Sequence, residues 1–436
     1  MFKKYIKFLF AGLFSAIILS IYTIVDSICI GQAEGELGSA AIACGIPVWT
    51  LIYSTGLMTG IGGATLFMVS RAKGDEKKSS EYFTSSLVLS LILNIILMII
   101  LFIFQRPLLI FFGAKDEKVL ELILKYTNWL KIGLPFFFMS QVLSVFVRND
   151  NNPIRASIAV IGGGILNSVL DFTFVFGLKM GINGAGLATF LGQVFTVIIL
   201  LTHFMSKKNS LRIVKPVTLF KDIKEIVLNG VSSFILDICM GVITIVFNNQ
   251  IYKYSVDDPS KYLAIYGVII NIQTLIQSLG YAVGQASQPL LSESAGKGDE
   301  ISLKKYHKYS IYSSIIIGAI LLLITELLAP TLLHIFAKVQ YDSDIMILGK
   351  DITRLYFVSF VFVVFNVYSI YYFNSILKKN VSFVISILRG FILPLIFMLT
   401  LPLINIKMLF ASLIFVEGAI MLLNIYLMKF NKISLN

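Results

Sequence analysis

Apolar residues run along this chain in blocks long enough to cross about 30 Å of hydrocarbon as helices. The blocks fall at roughly 7–30, 41–70, 83–104, 126–147, 154–176 and 184–205, and again at roughly 225–252, 262–292, 309–328, 352–376, 382–402 and 408–429. Between the sets lies the longest polar interruption, Ser206 to Glu225. The pattern predicts an all-α integral membrane protein of twelve transmembrane helices in two six-helix lobes, at 1–205 and 225–436, joined by a cytoplasmic linker at 206–224. Short amphipathic helices are expected on the outer surface at Arg106 to Lys125 and, in the same place of the second set, at Pro330 to Lys350.

The two sets resemble each other. Gly56-Leu-Met-Thr-Gly60 returns as Gly280-Tyr-Ala-Val-Gly284, and AKGDE ending at Glu76 returns as GKGDE ending at Glu300, both at an offset of about 224 residues. IVD ending at Asp26 pairs with ILD ending at Asp237 at about 211, the difference being taken up by a larger outer loop at Lys253 to Lys261. Six crossings per repeat bring each repeat into the membrane in the same sense, so the lobes are expected to be related by a pseudo-two-fold axis along the membrane normal, with substrate at their interface. The GxxxG pairs mark close helix packing.

Composition agrees: the chain is 57% hydrophobic and only 14% charged. Its net charge of +12 invites a nucleic-acid reading, but position explains the charge. About 23 of the 36 Lys and Arg fall in alternate loops, against roughly 10 in the intervening ones. That asymmetry places both termini in the cytoplasm and leaves no call for nucleic acid. The charged and apolar start, MFKKYIKFLF, runs on to Ile30 without a small-residue cleavage site and reads as a retained first span. Cys29, Cys44 and Cys239 have no metal-site or disulfide spacing.

Candidate chemistry is concentrated in the acids and amides inside the apolar blocks. Asn167 and Asp171 stand one helical turn apart on one face, and an acid near the bilayer centre costs about 2.5–3.5 kcal/mol on insertion scales. A proton, a metal cation, a cationic substrate or a buried structural partner could offset that cost. Asp26, Asn167, Asp171 and Thr189 form a hard-oxygen set suited to a proton or Na⁺. Asp237, Glu417 and Asn366 are candidates for a second-lobe or substrate site, with Arg389 a structural counter-charge for Glu417; Glu326 lies near a span end. The eleventh span carries no counterpart of the Asn167–Asp171 pair. No nucleotide-binding loop or HExxH motif occurs, and His203, His307 and His334 sit at span ends or in loops, as surface or interface residues. An enzyme is therefore not expected; a membrane transferase holding Mg²⁺ and a polyprenyl diphosphate would need clustered cytoplasmic aspartates. A transporter without a nucleotide site must be ion-coupled.

Three stretches resemble the multidrug and toxic compound extrusion (MATE) family of secondary transporters: IVDSICIGQAEGELGSAAIA, LNSVLDFTFVFGLKMGINGAGLAT and AIYGVIINIQTLIQSLGYAVGQASQPLLS. The resemblance implies two six-helix lobes forming a V around a central cavity, and export of mostly cationic, amphiphilic small molecules in exchange for H⁺ or Na⁺. It also implies that Asp26, Asn167, Asp171 and Thr189 are the cation or proton site of the first lobe. Some members pair an acid in span 7 with one in span 10; Asp237 matches the first, but span 10 offers only Asn366 and Asn374. The expectation is a monomeric antiporter of a bacterial plasma membrane, embedded in the lipid bilayer, with no cofactor beyond the coupling ion. A lipid-precursor or lipid-linked sugar flippase is the alternative; it should line its cavity with several basic residues, whereas the charges within these spans are mostly acidic.

Overall fold

The computed structural model describes residues 1–114, 116–255, 259–337 and 344–430. Twelve helices among them are long and apolar enough to cross a membrane: α1 (Phe2–Gly35), α2 (Ala41–Ala72), α3 (Glu76–Phe111), α4 (Glu117–Asn149), α5 (Pro153–Gly177), α6 (Gly181–Met205), α7 (Leu219–Tyr254), α8 (Lys261–Lys297), α9 (Glu300–His334), α10 (Met346–Ser375), α11 (Lys379–Leu403) and α12 (Ile406–Lys429). Each apolar block of the sequence falls on one of them. Large apolar side chains such as Phe102, Leu323, Leu327 and Leu422 point outward, as the lipid-facing side of a spanning helix requires.

Local chemistry explains where the helices stop. The repeated KGDE motif is a helix end followed by a helix start. Gly74 (φ 86°) and Gly298 (φ 68°) adopt the left-handed conformation that closes α2 and α8. The Asp75 and Asp299 carboxylates then accept from the Lys78 and Ser302 backbone N–H groups, at 2.9 and 3.0 Å, and cap α3 and α9. The turns repeat in their backbone bonds as well, Asp75 N–H donating to Ser70 O and Asp299 N–H to Ser294 O, both at 3.0 Å.

The GxxxG pairs seat α2 on α4 and α8 on α10. A Cβ at Gly56 would lie 3.0 Å from Gln141 Cβ, and one at Gly284 only 2.4 Å from the Tyr371 ring, so side chains larger than hydrogen would part the helices. In the most apolar stretches of α4 and α10, 67% and 78% of residues are buried, against 17% in α9. These two helices are the centres of their halves.

One expectation changes. Arg106 to Lys125 is no separate surface helix: α3 continues through Arg106 to Phe111, and α4 begins at Glu117 and runs unbroken to Asn149. Asp116 caps that start, accepting from the Lys118 and Val119 N–H groups at 2.8 and 3.3 Å, and nothing after Lys125 breaks the helix. In the corresponding segment, α9 continues through Pro330, and residues 338–343 lie outside the described part.

The chain packs as two compact units, Ile6–Phe234 and Met1–Tyr5 with Ile235–Asn436. Residues 206–218 and the first half of α7 belong to the first unit. Within it Lys78 Nζ binds Asp222 Oδ1 at 2.6 Å and Tyr82 donates to Glu225, tying α3 to the start of α7. In the second unit the first five residues are held by Lys4–Glu293 (2.8 Å) and by Tyr5, fully buried against Tyr309.

Candidate functional site

Helix α5 stays α-helical as far as Asp171 and then widens into a π-turn at Phe172–Gly177, a deviation found often beside functional groups. Asn167 and Asp171 project inward from the last two α-helical turns, where both are buried. Around them stand Asp26 of α1, Tyr126 of α4 and Thr189 of α6, also buried. Tyr126 donates its phenolic proton to Asp26 Oδ2 at 3.2 Å, and its oxygen lies 3.5 Å from Thr189 Oγ1. Thr189 gives its own proton to Ala185 O at 3.0 Å and accepts from Asn167 Nδ2 at 3.4 Å.

Four oxygens in this cluster have no hydrogen-bond partner among the described residues: Asp26 Oδ1, Asn167 Oδ1 and both carboxylate oxygens of Asp171. The two carboxylates interact electrostatically, and no Lys, Arg or His among the described residues is ion-paired with either. Burying two like charges in a low-dielectric interior without a counter-cation carries a high cost. All donors are oxygens, which suits H⁺ or Na⁺ and no soft metal. Asn167 and Thr189 also border a small cavity in the first unit, lined further by Ser140, Gln141, Ser144, Gln193 and Thr196, with Gly163, Gly164 and Gly192 making the room.

The structure thus brings together all four residues expected in the first lobe and adds Tyr126. Nothing in the sequence singles out that residue, because a tyrosine in an apolar span is usually a packing or interface residue. A second clue to the site is Glu34 at the end of α1. It accepts from the Ile182 N–H at 3.1 Å, and a Cβ at Gly181 (φ 56°) would meet its carboxylate at 2.0 Å. Glycine favours the left-handed backbone that brings the start of α6 against α1 here.

The second-unit candidates do not gather. Asp237 accepts from Tyr281 OH at 2.5 Å, which in turn accepts from Gln277 Nε2 at 2.9 Å; Asp237 Oδ2 has no partner among the described residues. Glu417 belongs to a different group. Arg389 Nη2 reaches its Oε1 at 2.8 Å and Asn366 Nδ2 its Oε2 at 2.7 Å, so Glu417 is fully compensated, as the counter-charge reading expected. Glu326 lies half-exposed, 3.5 Å from Arg354.

His203 differs from its expected surface or interface place. It is fully buried, with Nε2 2.8 Å from Asp150 Oδ2 and Nδ1 3.1 Å from Asn152. Asp150 also binds Arg71 (2.6 Å) and the Ser210 N–H and hydroxyl (2.7 and 2.5 Å). Burial alone would raise the Asp150 pKa; the bonds from His203 and Ser210 and the Arg71 charge outweigh it and hold the carboxyl below its ordinary range. The cluster fastens α2, α4, α6 and the polar stretch after it.

The MatE family model matches residues 12–173 and 233–400, so both halves are covered. The chain is 24% identical over 343 residues to the multidrug export protein MepA of Staphylococcus saprophyticus, covering 77% of this chain and 74% of that one. It is 23% identical over 344 residues to the probable multidrug resistance protein YoeA of Bacillus subtilis, covering 76% and 73%. A solved structure described as the outward-facing conformation of a multidrug resistance MATE family transporter superposes with a TM-score of 0.90 at 19% identity, over 99% of this chain and 96% of that one.

Proposed function

Because this chain belongs to the MATE family of transporters, we propose that it exports amphiphilic, mostly cationic compounds across a bacterial plasma membrane by alternating access, in exchange for H⁺ or Na⁺. It is a membrane transporter and not an enzyme. The observation that carries the coupling is the pair Asp26 and Asp171, with three unpartnered carboxylate oxygens in an apolar unit and no counter-cation among the described residues. An acid is kept at such a place when it binds and releases a cation. The bound ion is shared among Asp26, Asp171, Asn167 and Thr189, with Tyr126 orienting Asp26.

The adjoining cavity, with its amides and hydroxyls, supports entry of a solvated ion or of a polar substrate group. One proton moving down about 100 mV supplies roughly 2.3 kcal/mol when net charge is transferred, enough for about a 50-fold concentration ratio at roughly 1.4 kcal/mol per tenfold. The protein works as a monomer with the stretch 206–224 on the cytoplasmic side. Export of an anionic lipid precursor is the weaker reading, since the buried Arg389 is already neutralised by Glu417 and Lys131 is bound to Gln105 at 2.7 Å.

Proteoliposomes with a pH gradient and a Na⁺ gradient imposed separately test the proposal. Export of an amphiphilic cation under one of them, lost in Asp171→Asn, is expected. Export indifferent to both gradients would remove ion coupling.

A further inference from the structure

The two units share a turn that sets their register. Ahead of α5 and of α11 stands a non-glycine residue in the left-handed region, Asn151 (φ 57°) and Leu377 (φ 58°). Aligning these turns matches α4–α5 to α10–α11 at an offset of about 226 residues. Ser140 then corresponds to Asn366 and Gly163 to Arg389. In the sixth helix of each unit Gln193 corresponds to Glu417, at about 224.

Contacts obey this register. Ser140 Oγ donates to Gln193 Oε1 at 2.7 Å in the first unit, and Asn366 Nδ2 donates to Glu417 Oε2 at 2.7 Å in the second. Gly163 and Arg389 make the difference. A Cβ at Gly163 would point at α6, meeting Thr196 Oγ1 at 1.9 Å and Gly192 O at 2.8 Å, and this glycine borders the cavity with Ser140 and Gln193. The matching side chain in the second unit is an arginine pointing at α12. Its Nε lies 2.9 and 3.0 Å from the two Glu417 oxygens. A π-turn at Leu388–Ile392 displays it, and Asn424 Nδ2 holds Asn366 Oδ1 at 2.9 Å behind the carboxylate.

We propose that Glu417, held in place by Asn366 and, behind it, Asn424, forms a binding site for a guanidinium cation, and that the Arg389 side chain is its built-in occupant. The fold does not need a side chain at this position, because the first unit does without one. Where glycine becomes arginine, the neutral Gln193 becomes the charged Glu417, so cation and anion appear together. A guanidinium fork fits a carboxylate in a way an ammonium or Na⁺ does not. The covalent tether keeps Glu417 from taking any other cation.

The test is thermal unfolding of the full-length protein in detergent, titrated with methylguanidinium chloride at millimolar concentration against matched sodium chloride. Arg389→Gly should unfold at a lower temperature than the parent and recover by on the order of 5 °C, saturably, with methylguanidinium and not with Na⁺. The double variant Arg389→Gly with Glu417→Gln recreates the Gly163–Gln193 pairing, and should fold without the ligand and ignore it, as should the parent. If Arg389→Gly cannot be purified alone, expression and purification with methylguanidinium present should yield monodisperse protein. A response no larger in Arg389→Gly than in the parent or the double variant, or no recovery with the ligand present throughout, would overturn the proposal and leave an ordinary ion pair.

Discussion

Asp171 has two buried oxygens and no bond to either among the described residues, whereas the buried carboxylates Asp150 and Glu417 are saturated by partners. That contrast separates a group that binds something from groups that brace the fold. Asp26→Asn and Asp171→Asn should therefore insert normally, since an amide is cheaper to bury than a charge, yet abolish gradient-driven export. Asn167→Ala and Thr189→Ala should weaken it. Tyr126→Phe removes a hydrogen bond to a charged acceptor, commonly about 1.5–3 kcal/mol, and should shift the ion concentration for half-maximal export by roughly tenfold. Proteoliposome assays on variants of equal expression measure all five; near-normal export by Asp171→Asn would make that acid structural. Asp26, Asn167 and Asp171 are legible in the sequence because acids and amides stand out in apolar spans, and Thr189 follows only as the nearby hydroxyl that completes the oxygen set. Tyr126 is not, for its role lies wholly in what it faces.

Helix contacts carry their own tests. A Cβ at Gly62 would stand 2.1 Å from Ile226 O, and one at Gly230 2.0 Å from Met58 O, so α2 and the first half of α7 touch backbone to backbone. Carbonyls cannot rotate aside like a flexible side chain. Gly62→Ala and Gly230→Ala should each cost about 1–3 kcal/mol through overpacking. Gly241→Ala, on the same α7 but with nothing within 4 Å, should be neutral or mildly stabilising through helix propensity. Thermal unfolding of the three separates local clash from a general aversion to substitution in α7; equal midpoints would show that the helices re-space freely.

The Asp150 cluster adds a pH dependence whose sign is set by its lowered pKa. Its stabilisation is complete above the unfolded-state value near 3.9 and is lost as pH falls through the lower folded-state value. Asp150→Asn should cost about 3 kcal/mol at neutral pH, by leaving buried partners uncompensated. It should also flatten the acid limb of unfolding temperature against pH below about pH 4. An unchanged acid limb would assign that limb to other carboxylates.

For the whole molecule, orientation is the first question to settle. The Lys and Arg asymmetry predicts that a single cysteine at Lys208 labels from the cytoplasmic side and one at Lys179 from outside, in a protein whose Cys29, Cys44 and Cys239 have been replaced. Both positions are exposed loop residues. The opposite labelling pattern would invert the topology and with it the direction of transport. The seam between the packed units falls at Phe234 and Ile235, inside α7, about ten residues beyond the polar stretch. Packing, not polarity, locates such a seam, because a helix continues wherever its backbone bonds do.

Sequence alone determined the number and order of the spans and the repeat that relates the halves. Each depends on a quantity local in the chain, hydrocarbon thickness against helix rise or the recurrence of a short motif, whereas the role of KGDE as glycine stop and aspartate cap was shown by the backbone. Tertiary structure decided the rest. It buried His203 against Asp150, ran α4 unbroken from Glu117, set Tyr126 on Asp26 and laid Arg389 where the first unit has only Gly163 and a cavity. These outcomes join residues tens to hundreds of positions apart. Which face of a helix meets which neighbour is fixed by packing over the whole unit, and an apolar span has too little amphipathic pattern to announce it.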